Sequence, residues 1–444
     1  MNFHGFDQQR AMRARLQTAI RRGRLAVLDL GTSRVTCLIL KVDPGALDAP
    51  PGLARFGALE VVGSCVVQSR GIKRGEIIDM DAATRCVRQA ILTAEEDAQP
   101  EIERVDHVVV AFSGGRPESF STEGTVDTET GQVTERDISN ALGAAEDPPM
   151  GEGRAILHAQ PVSISLDHQG GITDPRGMTG RSLSIAAHVL SVDARPLANV
   201  AECVRQCDLD LCGVVSAPYA AGLSALVEDE QRTGAVCLDM GAGGTGMSLF
   251  LRDHLICVER VPFGSDHATS DIAAGLLMRR ALAERIKTVH GGCIPTAADD
   301  RELIEAPRLG DEGEPEQRRI SRGMLIGVIR PRMEELFRAV HARLVDLGVG
   351  QMPGCSVVLT GGGCQMPGAD ELCTRILGRR PRIGRPLRIA GLDQERTGPD
   401  CATVVGLAMY AVHRHDELWD FAAPAPRTAR GRASEMVRWL RASL

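Results

Sequence analysis

Residue types that are scarce in this chain exclude several classes of protein. Aromatic residues make up only 3% of the 444 residues, and just three lysines occur, at positions 41, 73 and 287. Uninterrupted apolar runs such as residues 404–409 are far shorter than the ~20 residues that a transmembrane helix requires. No signal peptide opens the chain, and a formal net charge of −7 argues against a nucleic-acid-binding body. We therefore expect a protein of cytosolic origin without a transmembrane segment or a nucleic-acid partner.

The spacing of the cysteines excludes the common metal and disulfide frameworks. The chain has 13 cysteines, but no pair has the C-x-x-C spacing of zinc and redox motifs. Cys203, Cys207 and Cys212 lie in a region that predicts a helix followed by a strand. We interpret the cysteines as small apolar residues in a reducing compartment. At 43% hydrophobic residues, the chain can build the packed cores of more than one domain.

Two copies of one arrangement dominate the sequence: an aspartate near the end of an apolar strand, a glycine-rich reversal and a second apolar strand. The copies span residues 25–40 and 235–250, which suggests two similar half-molecules. Glycines let the backbone turn its N–H groups toward a close anion, and each aspartate can hold a hydrated cation. Two such hairpins facing each other would hold a metal–polyphosphate. The predicted residues are Asp29, Gly31, Thr32 and Ser33 in the first hairpin and Asp239, Gly241, Gly243, Gly244 and Thr245 in the second, with Asp29 and Asp239 at the metal.

Two further segments suit a nucleoside. Glu284 and Lys287 stand one helical turn apart, so that an acceptor and a cation share one face and can bond ribose hydroxyls and a base edge. Bare backbone at a strand-to-helix turn suits a nucleobase or ribose. Such a turn precedes a helix predicted over residues 369–377 and contains Gly361, Gly362 and Gly363. Singly, a glycine-rich turn or a Glu–Lys pair is usually only structural, but four segments in this order favour a binding site.

One competing motif matches a different nucleotide signature. Gly241, Gly243 and Gly246 satisfy the G-x-G-x-x-G of dinucleotide-binding folds, and Glu259 follows at the distance of a ribose-binding acid. That site requires a helix to begin in the glycine loop, so that its N-terminus faces the pyrophosphate. The residues after the loop are instead β-rich, over 247–251 and 255–261. We therefore favour a phosphate-binding hairpin over a nicotinamide site.

The order of these segments resembles the actin-like ATPase superfamily and, within it, the FtsA family of bacterial cell division proteins. The resemblance covers roughly residues 25–410 and the last dozen residues. Several stretches resemble the FtsA family specifically, namely 62–65, 69–72, 109–114, 269–273, 283–287, 328–332 and 404–410. The resemblance implies an α/β, actin-like fold of two lobes, each a ribonuclease-H-like half, with the IC subdomain of that family. It also implies ATP and Mg²⁺ as cofactors.

The resemblance further implies a division of the chain into subdomains. Residues 1–24 form a basic extension, either a disordered or helical tail or a contact for anionic lipid. The two lobes each contain an insertion, the SHS2-like IC in the first and the helical IIB in the second. The expected boundaries are 25–104 and 188–215 for IA, 105–187 for IC, 216–265 and 351–420 for IIA, 266–350 for IIB, 421–432 for a flexible linker and 433–444 for a terminal helix.

No catalytic residue is predicted. In the related chaperone and MreB branches, a Glu-Pro pair after the first half-domain positions the attacking water, and Ala217 and Pro218 stand at the matching place here. Alanine has no group that polarises water, and Gly246 stands where some relatives have an aspartate. Nucleotide binding by backbone N–H groups survives both changes, whereas hydrolysis loses a water-orienting group. We expect a nucleotide-binding assembly protein with at most slow ATP turnover, not an enzyme.

The resemblance implies protein partners at the second insertion. In the family, subdomain IIB accepts the acidic C-terminal tail of FtsZ, and the matching or nearby arginines here are Arg318, Arg322 and Arg332. Guanidinium groups suit carboxylates through paired hydrogen bonds. The alternative interpretation is an ordinary solvated basic helix. Further expected partners are other copies of the chain in filaments and later proteins of the division machinery.

The C-terminal residues predict a membrane-binding helix. A Pro- and Ala-rich stretch, 421–432, precedes residues 433–444, in which one arc of the helix is apolar and two arginines lie opposite. With its tryptophan, such a helix suits an anionic membrane surface, while the alternative is a helix docked on the protein's own body. The predicted membrane residues are Met436, Val437, Arg438, Trp439, Leu440, Arg441 and Leu444. The expected location is the cytoplasmic side of the inner membrane at the division septum, as a peripheral membrane protein.

The implied function is that of an ATP-binding, actin-like membrane adaptor of bacterial cytokinesis. It would polymerise under the inner membrane, tether FtsZ in the Z ring and recruit later division proteins. Two alternatives stay open: another actin-like assembly protein, similar to PilM or MreB, and an actin-fold sugar kinase. A kinase needs an acidic base in its cleft and a sugar pocket, and the sequence has no clear candidate for either.

Overall fold

The computed structural model describes residues 6–47, 53–309, 318–352, 354–393, 396–412 and 417–421. The predicted terminal helix at 433–444 and the predicted linker after Phe421 lie outside this range. Within the described residues, no helix is long and apolar enough to cross a membrane. All 13 cysteines are free thiols and all but Cys207 are buried, which agrees with their interpretation as small apolar residues.

The secondary structure of the described residues alternates between sheets and helices. The strands are β1 (Arg24–Leu30), β2 (Arg34–Val42), β3 (Leu59–Gln68), β4 (Ile72–Lys73), β5 (Glu76–Ile77), β6 (His107–Phe112), β7 (Glu118–Asp127), β8 (Arg154–Leu166), β9 (Gln169–Gly170), β10 (Ser182–Asp193), β11 (Asp210–Ser216), β12 (Ala235–Met240), β13 (Thr245–Leu251), β14 (His254–Val261), β15 (Leu303–Glu305), β16 (Arg319–Ser321), β17 (Ser356–Thr360) and β18 (Arg382–Ile383). The helices are α1 (Asp7–Arg21), α2 (Met80–Ala98), α3 (Glu135–Ala144), α4 (Ala194–Gln206), α5 (Ala217–Ala225), α6 (Glu228–Thr233), α7 (Ser265–Gly275), α8 (Arg280–His290), α9 (Arg322–Asp346), α10 (Ala369–Leu377) and α11 (Ala402–Val412).

Two five-stranded sheets with the same topology form the centres of two lobes. The first has the order β3-β2-β1-β6-β11 and the second β14-β13-β12-β17-β18. In each sheet three consecutive strands pair antiparallel, and a later strand pairs parallel with the first of them: β6 with β1, and β17 with β12. Each glycine-rich hairpin joins the equivalent pair of strands, β1–β2 or β12–β13. The two similar half-molecules suggested by the sequence are confirmed.

Helices α5 and α11 join the lobes. Every residue of both helices is buried, which explains why their sequences are apolar on all sides. The two backbones are in close contact, since a Cβ at Gly406 would lie 1.7 Å from the carbonyl oxygen of Ala220. Helix α5 contacts β12 and β13 of the second sheet, and α11 contacts β1, β2 and β6 of the first. This packing brings the N-terminal turn of α5 to the boundary between the lobes.

Each lobe carries an insertion. In the first, the sheet β7-β10-β8-β9 packs against α3, and Gly124 permits the close approach because a Cβ there would lie 2.0 Å from the Ala141 carbonyl oxygen. In the second, α7, α8 and α9 pack together beside the hairpin β15–β16. Helix α9 is amphipathic, with buried residues recurring every three or four positions, including Leu325, Ile329 and Met333.

The N-terminal extension forms a helix packed on the first lobe. Helix α1 buries one face against the first lobe and contacts β11 most extensively. Two of its arginines donate to backbone carbonyls of the body, Arg10 to Trp419 and Arg15 to Leu211. The extension is thus helical rather than a disordered tail, part of its positive charge is used inside the molecule, and its contact with anionic lipid stays a prediction.

Candidate functional site

A deep cleft of about 1220 Å³ lies between the lobes. Strands β1 and β12 end at this cleft, and β17 is the parallel neighbour of β12, so the turns that follow these strands converge there. Thirteen of the fourteen predicted nucleotide-site residues line its walls: Asp29, Gly31, Thr32, Ser33, Asp239, Gly241, Gly243, Gly244, Glu284, Lys287, Gly361, Gly362 and Gly363.

The two glycine-rich hairpins meet across the cleft. A Cβ added to Gly243 would lie 2.4 Å from Oγ1 of Thr32 and 2.9 Å from Cα of Arg74, so the loops approach this closely only because residue 243 has no side chain. The hydroxyl of Thr32 also accepts a hydrogen bond from the N–H of Gly75 at 3.2 Å. The second turn is tight as well, since the N–H of Gly241 donates to the Gly244 carbonyl at 3.0 Å.

Two carboxylates, one from each hairpin, share the cleft. Burial raises the pKa of Asp29 to about 6, against the lowering effect of the Arg34 guanidinium. Burial, and then the nearby charge of Asp29, raise the pKa of Asp239 to about 7, while Thr403 and Arg34 act in the opposite direction. Water is removed from both groups, and the charge of Asp29 destabilises the ionised form of Asp239. This environment suits a bound cation, which would neutralise both charges.

The two predicted residues on α8, Glu284 and Lys287, have different roles. Lys287 is buried, and its Nζ donates to Glu284 at 2.7 Å, Thr269 at 2.8 Å and the Ser265 carbonyl at 3.2 Å. An ammonium group has three N–H donors, so all of them are used inside the protein. Burial would raise the pKa of Glu284, but hydrogen bonds from Lys287 and Thr269 hold it below its usual value. Lys287 therefore orients Glu284, whose half-exposed carboxylate faces the cleft.

The third glycine cluster forms the turn between β17 and α10, as the sequence predicts. Gly361 has a φ of +80°, a conformation that glycine adopts without strain, and a Cβ there would lie 2.5 Å from Oδ1 of Asp239. A Cβ at Gly363 would lie 2.8 Å from the Met240 carbonyl oxygen. The turn therefore packs directly on the end of β12. Helix α10 then begins at Ala369, at the predicted residue.

Thr245 is the predicted residue that does not line the cleft. Its side chain is fully buried, and its hydroxyl donates to the Phe263 carbonyl at 2.8 Å, so it holds the hairpin rather than a ligand. Strand β13 begins at this residue. Because a strand follows the glycine loop, a dinucleotide-binding helix N-terminus does not form there, as the sequence analysis concluded.

Two contacts that the sequence analysis missed connect the lobes at the cleft. Arg34 at the start of β2 pairs with Asp400, which precedes α11, at 2.6 Å. Arg260 in β14 donates to the Arg74 carbonyl at 2.8 Å. Both arginines line the cleft. The position of Arg34 directly after the first glycine turn was a usable signal, whereas nothing local in the sequence indicates its partner 366 residues away.

The three arginines predicted to bind FtsZ are all engaged inside the second insertion. Arg318 donates to the Leu276 carbonyl at 2.8 Å. Arg332 makes a bidentate pair with Asp271, at 2.7 and 3.0 Å, and a further contact with Glu335. The partners of Arg322 are Asp299, Glu302 and the His290 carbonyl. All three therefore have partners within the protein, although Arg332 remains partly exposed, and their contact with FtsZ stays a prediction.

Comparison with known proteins agrees with this architecture. The family model described as cell division protein FtsA matches residues 236–406, and the model for the SHS2 domain inserted in FtsA matches residues 114–191. The cell division protein FtsA of Rhizobium meliloti (strain 1021) is 38% identical over 387 residues, which cover 87% of this chain and 86% of that protein. The match includes both lobes and the insertion of the first.

Solved structures show the fold. The PilM-PilN type IV pilus biogenesis complex contains a chain that superimposes with a TM-score of 0.59 at 17% identity, covering 88% of this chain and 99% of that one. MreB5 of Spiroplasma citri, solved bound to ADP, gives a TM-score of 0.51 at 14% identity over 88% of this chain and 96% of its own. The predicted actin-like fold is confirmed. From the family models and the identity with its relatives, we conclude that the chain belongs to the FtsA family of cell division proteins.

Proposed function

We propose that this chain is an ATP-binding, actin-like membrane adaptor of bacterial cytokinesis. It polymerises beneath the inner membrane, tethers the Z ring through the FtsZ C-terminal tail and recruits later division proteins. The observation that carries the proposal is the cleft, in which two aspartate hairpins, the Glu284 face of α8 and a glycine turn converge. Family membership connects this cleft to cell division.

Mg-ATP is the ligand that this cleft suits best. Asp29 and Asp239 are oxygen donors, which Mg²⁺ prefers, and both are desolvated enough to favour a cation between them. Bound Mg²⁺ would neutralise the charge of the phosphates. The glycine turns that line the cleft would supply backbone N–H groups to phosphate oxygens, and the Glu284 carboxylate would accept hydrogen bonds from ribose hydroxyls. A fold relative, MreB5 of Spiroplasma citri, was solved with ADP, which is consistent with this choice.

We further propose that the chain hydrolyses ATP at most slowly and works as an assembly protein rather than an enzyme. Ser216, Ala217 and Pro218 form the part of the cleft wall where a water-orienting acid would be expected. The residue at 217 is apolar, and Gly246 of the second hairpin adds no side chain. Without a group to orient water, the rate of hydrolysis falls by orders of magnitude while binding persists.

The FtsZ tail and the membrane complete the proposed function. When an acidic tail binds at the second insertion, its carboxylates would replace Asp271 and Glu335 as the partners of Arg332. A planar guanidinium binds such groups bidentately. Residues 433–444 would lie in the membrane interface and attach the filament weakly at each subunit. Many weak attachments along one filament give stable binding.

Vesicle co-sedimentation tests these proposals together. The purified full-length chain is mixed with vesicles that contain anionic lipid, with and without Mg-ATP, and with a synthetic FtsZ C-terminal peptide. We expect sedimentation with vesicles, an increase with Mg-ATP through polymerisation, and co-sedimentation of the peptide. Failure to sediment with vesicles would contradict the membrane role, and indifference to Mg-ATP would contradict nucleotide-dependent assembly. A scrambled peptide of the same charge is the control for nonspecific attraction.

A further inference from the structure

We propose that Glu417 is a positioning residue of the nucleotide pocket: through His158 it holds the turn from Ser216 to Pro218, which forms part of the cleft wall. The pocket is then complete only when the C-terminal segment, residues 417–421, is docked on the body. This inference rests on the proposed nucleotide binding. It assigns a role to the segment that leads into the C-terminal residues 422–444.

The carboxylate of Glu417 is buried among three hydrogen-bond donors of one strand. The residue is 1% exposed, and its two oxygens accept hydrogen bonds from His158 Nδ1 at 2.9 Å, the Ala159 N–H at 2.7 Å and Gln160 Nε2 at 3.0 Å. All three donors lie in consecutive residues of β8, in the insertion of the first lobe. A buried carboxylate needs such partners, because burial of an unpaired charge is strongly unfavourable. The segment therefore has one preferred docked position.

The imidazole of His158 connects Glu417 to the cleft wall at Ser216. It is completely buried, and its Nε2 accepts a hydrogen bond from the Ser216 N–H at 3.0 Å. Since Nε2 is an acceptor, the proton of the neutral ring is on Nδ1 and is donated to Glu417. The carboxylate thus selects the tautomer that Ser216 requires. Tyr219, one turn into α5, packs edge-on against the same ring at 5.1 Å between centroids.

The turn that His158 holds is in contact with the phosphate hairpin of the second lobe. Ser216, Ala217 and Pro218 line the cleft. A Cβ at Gly246 would lie 2.3 Å from Cγ of Pro218, and the hydroxyl of Ser248 donates to the Pro218 carbonyl at 2.8 Å. The first turn of α5 is therefore held by His158 from the first lobe and by β13 from the second. A shift of the C-terminal segment would therefore move His158, and with it the first turn of α5, relative to β13.

The N-terminal helix holds the C-terminal segment from its other side. The ring of Phe6 packs edge-on against Trp419 at 5.6 Å between centroids. Arg10 donates to the Trp419 carbonyl at 3.3 Å, and Arg13 pairs with Asp420 at 3.2 Å. Residues 417–421 are thus enclosed between α1 and β8. Coupling between two sites is reciprocal, so nucleotide that favours the held turn also favours the docked segment.

The test compares two buried glutamates with the same substitution. Glu417→Gln replaces one accepting oxygen with an NH2 group, which then faces another donor. Glu95→Gln is the control, because Glu95 is also buried but lies outside the cleft. The carboxylate of Glu95 accepts a hydrogen bond from the Val105 N–H at 2.8 Å. Affinity for a fluorescent ATP analogue with Mg²⁺ and the thermal midpoint are measured for both variants and for the unmodified chain. We expect Glu417→Gln to weaken nucleotide binding by roughly fivefold or more, and Glu95→Gln to leave it unchanged at a similar loss of thermal stability.

A second measurement needs no variant. Hydrogen exchange of residues 417–421 in the unmodified chain should become slower when Mg-ATP is bound. Unchanged exchange in this segment, or equal losses of affinity in both variants, would overturn the proposal. Failure of the unmodified chain to bind the ATP analogue would instead contradict the proposed function, so the two failures are distinguishable.

Discussion

Arg34 of the first lobe and Asp400 of the second are paired across the cleft. Nη1 of Arg34 lies 2.6 Å from the Asp400 carboxylate, and Nη2 donates to the Asp400 carbonyl, also at 2.6 Å. The same guanidinium lowers the pKa values of Asp29 and Asp239, against the larger effect of burial. One cation therefore joins the lobes and partly offsets the two carboxylates between them.

We expect loss of this pair to speed the release of nucleotide. In Arg34→Ala the lobes lose a partly exposed ion pair, which is worth about 0.2–1 kcal/mol. The dissociation rate of a fluorescent ATP analogue should therefore rise by a factor of about 1.4 to 5. Stopped-flow displacement with excess ATP measures this rate. Arg24→Ala is the matched control, because Arg24 pairs with Asp106 within the first lobe. An equal increase in both variants would show that Arg34 does not act by joining the lobes.

Neutralising one cleft carboxylate should weaken binding only when magnesium is present. For Asp239→Asn we expect affinity for Mg-ATP to fall at least about tenfold, because an oxygen donor with charge is lost from the cation site. Without nucleotide, thermal stability should stay equal or rise, since Asp29 and Asp239 repel each other in the cleft. Titrations with Mg²⁺ and with a chelator compare the two conditions, and the exposed Asp229→Asn is the control. An equal loss of ATP affinity when magnesium is chelated would contradict a role of Asp239 in holding the metal.

The first insertion should lose stability in acid because of His188. Burial, and then the neighbouring His158, lower the pKa of His188 to about 3, and Nε2 bonds Ser119 at 3.0 Å. Below the ordinary value near 6.5 the unfolded chain binds a proton here that the folded chain does not, so stability is lost as the pH falls from about 6.5 toward 3.

At pH 5.5 this loss of stability amounts to about 1 kcal/mol, and at pH 7.5 it is close to zero. Hydrogen exchange of β7 and β10 at both pH values, corrected for intrinsic rates, measures it. His188→Gln should remove this part of the pH dependence, whereas His341→Gln, on the exposed side of α9, should not. An unchanged pH dependence in His188→Gln would contradict the assignment.

The two partners of one ion pair should affect FtsZ-tail binding in opposite directions. Asp271→Asn releases Arg332 from its bidentate partner, so a peptide with the FtsZ C-terminal sequence should bind about two- to tenfold more tightly. Arg332→Ala should weaken the same binding. Fluorescence anisotropy of the labelled peptide measures both. If the two substitutions weaken binding equally, Arg332 supports the fold of the insertion and does not contact the peptide.

Membrane attachment should depend on the last twelve residues. Deleting residues 433–444 should leave the chain in the supernatant of a vesicle sedimentation assay while ATP binding is retained. Trp439→Glu should have nearly the same effect, because it places a charge within the apolar arc of the predicted helix. Loss of Arg438 and Arg441 should weaken attachment less, and the difference from the unmodified chain should shrink as salt rises, because salt screens attraction to anionic headgroups. If the truncated chain still sediments with vesicles, another surface is the anchor.

Local patterns in the sequence were sufficient to predict the elements of the cleft. An apolar strand that ends in an aspartate and a glycine turn is a short-range feature, and its two copies predicted the duplicated sheets. The turn from β17 to α10 was predicted for the same reason, since glycines and the helix start are neighbours in sequence. The family likeness also rested on such short segments, in their order along the chain.

Whether a charged side chain is available to a ligand was decided only by tertiary structure. The sequence pattern assigns Lys287 to a nucleoside and the family resemblance assigns Arg332 to the FtsZ tail, but packing brings Thr269 and Asp271 against them and uses their donors. The pairing of Arg34 with Asp400 and of His158 with Glu417 joins residues 366 and 259 positions apart. Such contacts depend on how the lobes and insertions pack, because the energy of an ion pair or a buried hydrogen bond is set by its surroundings and not by spacing along the chain.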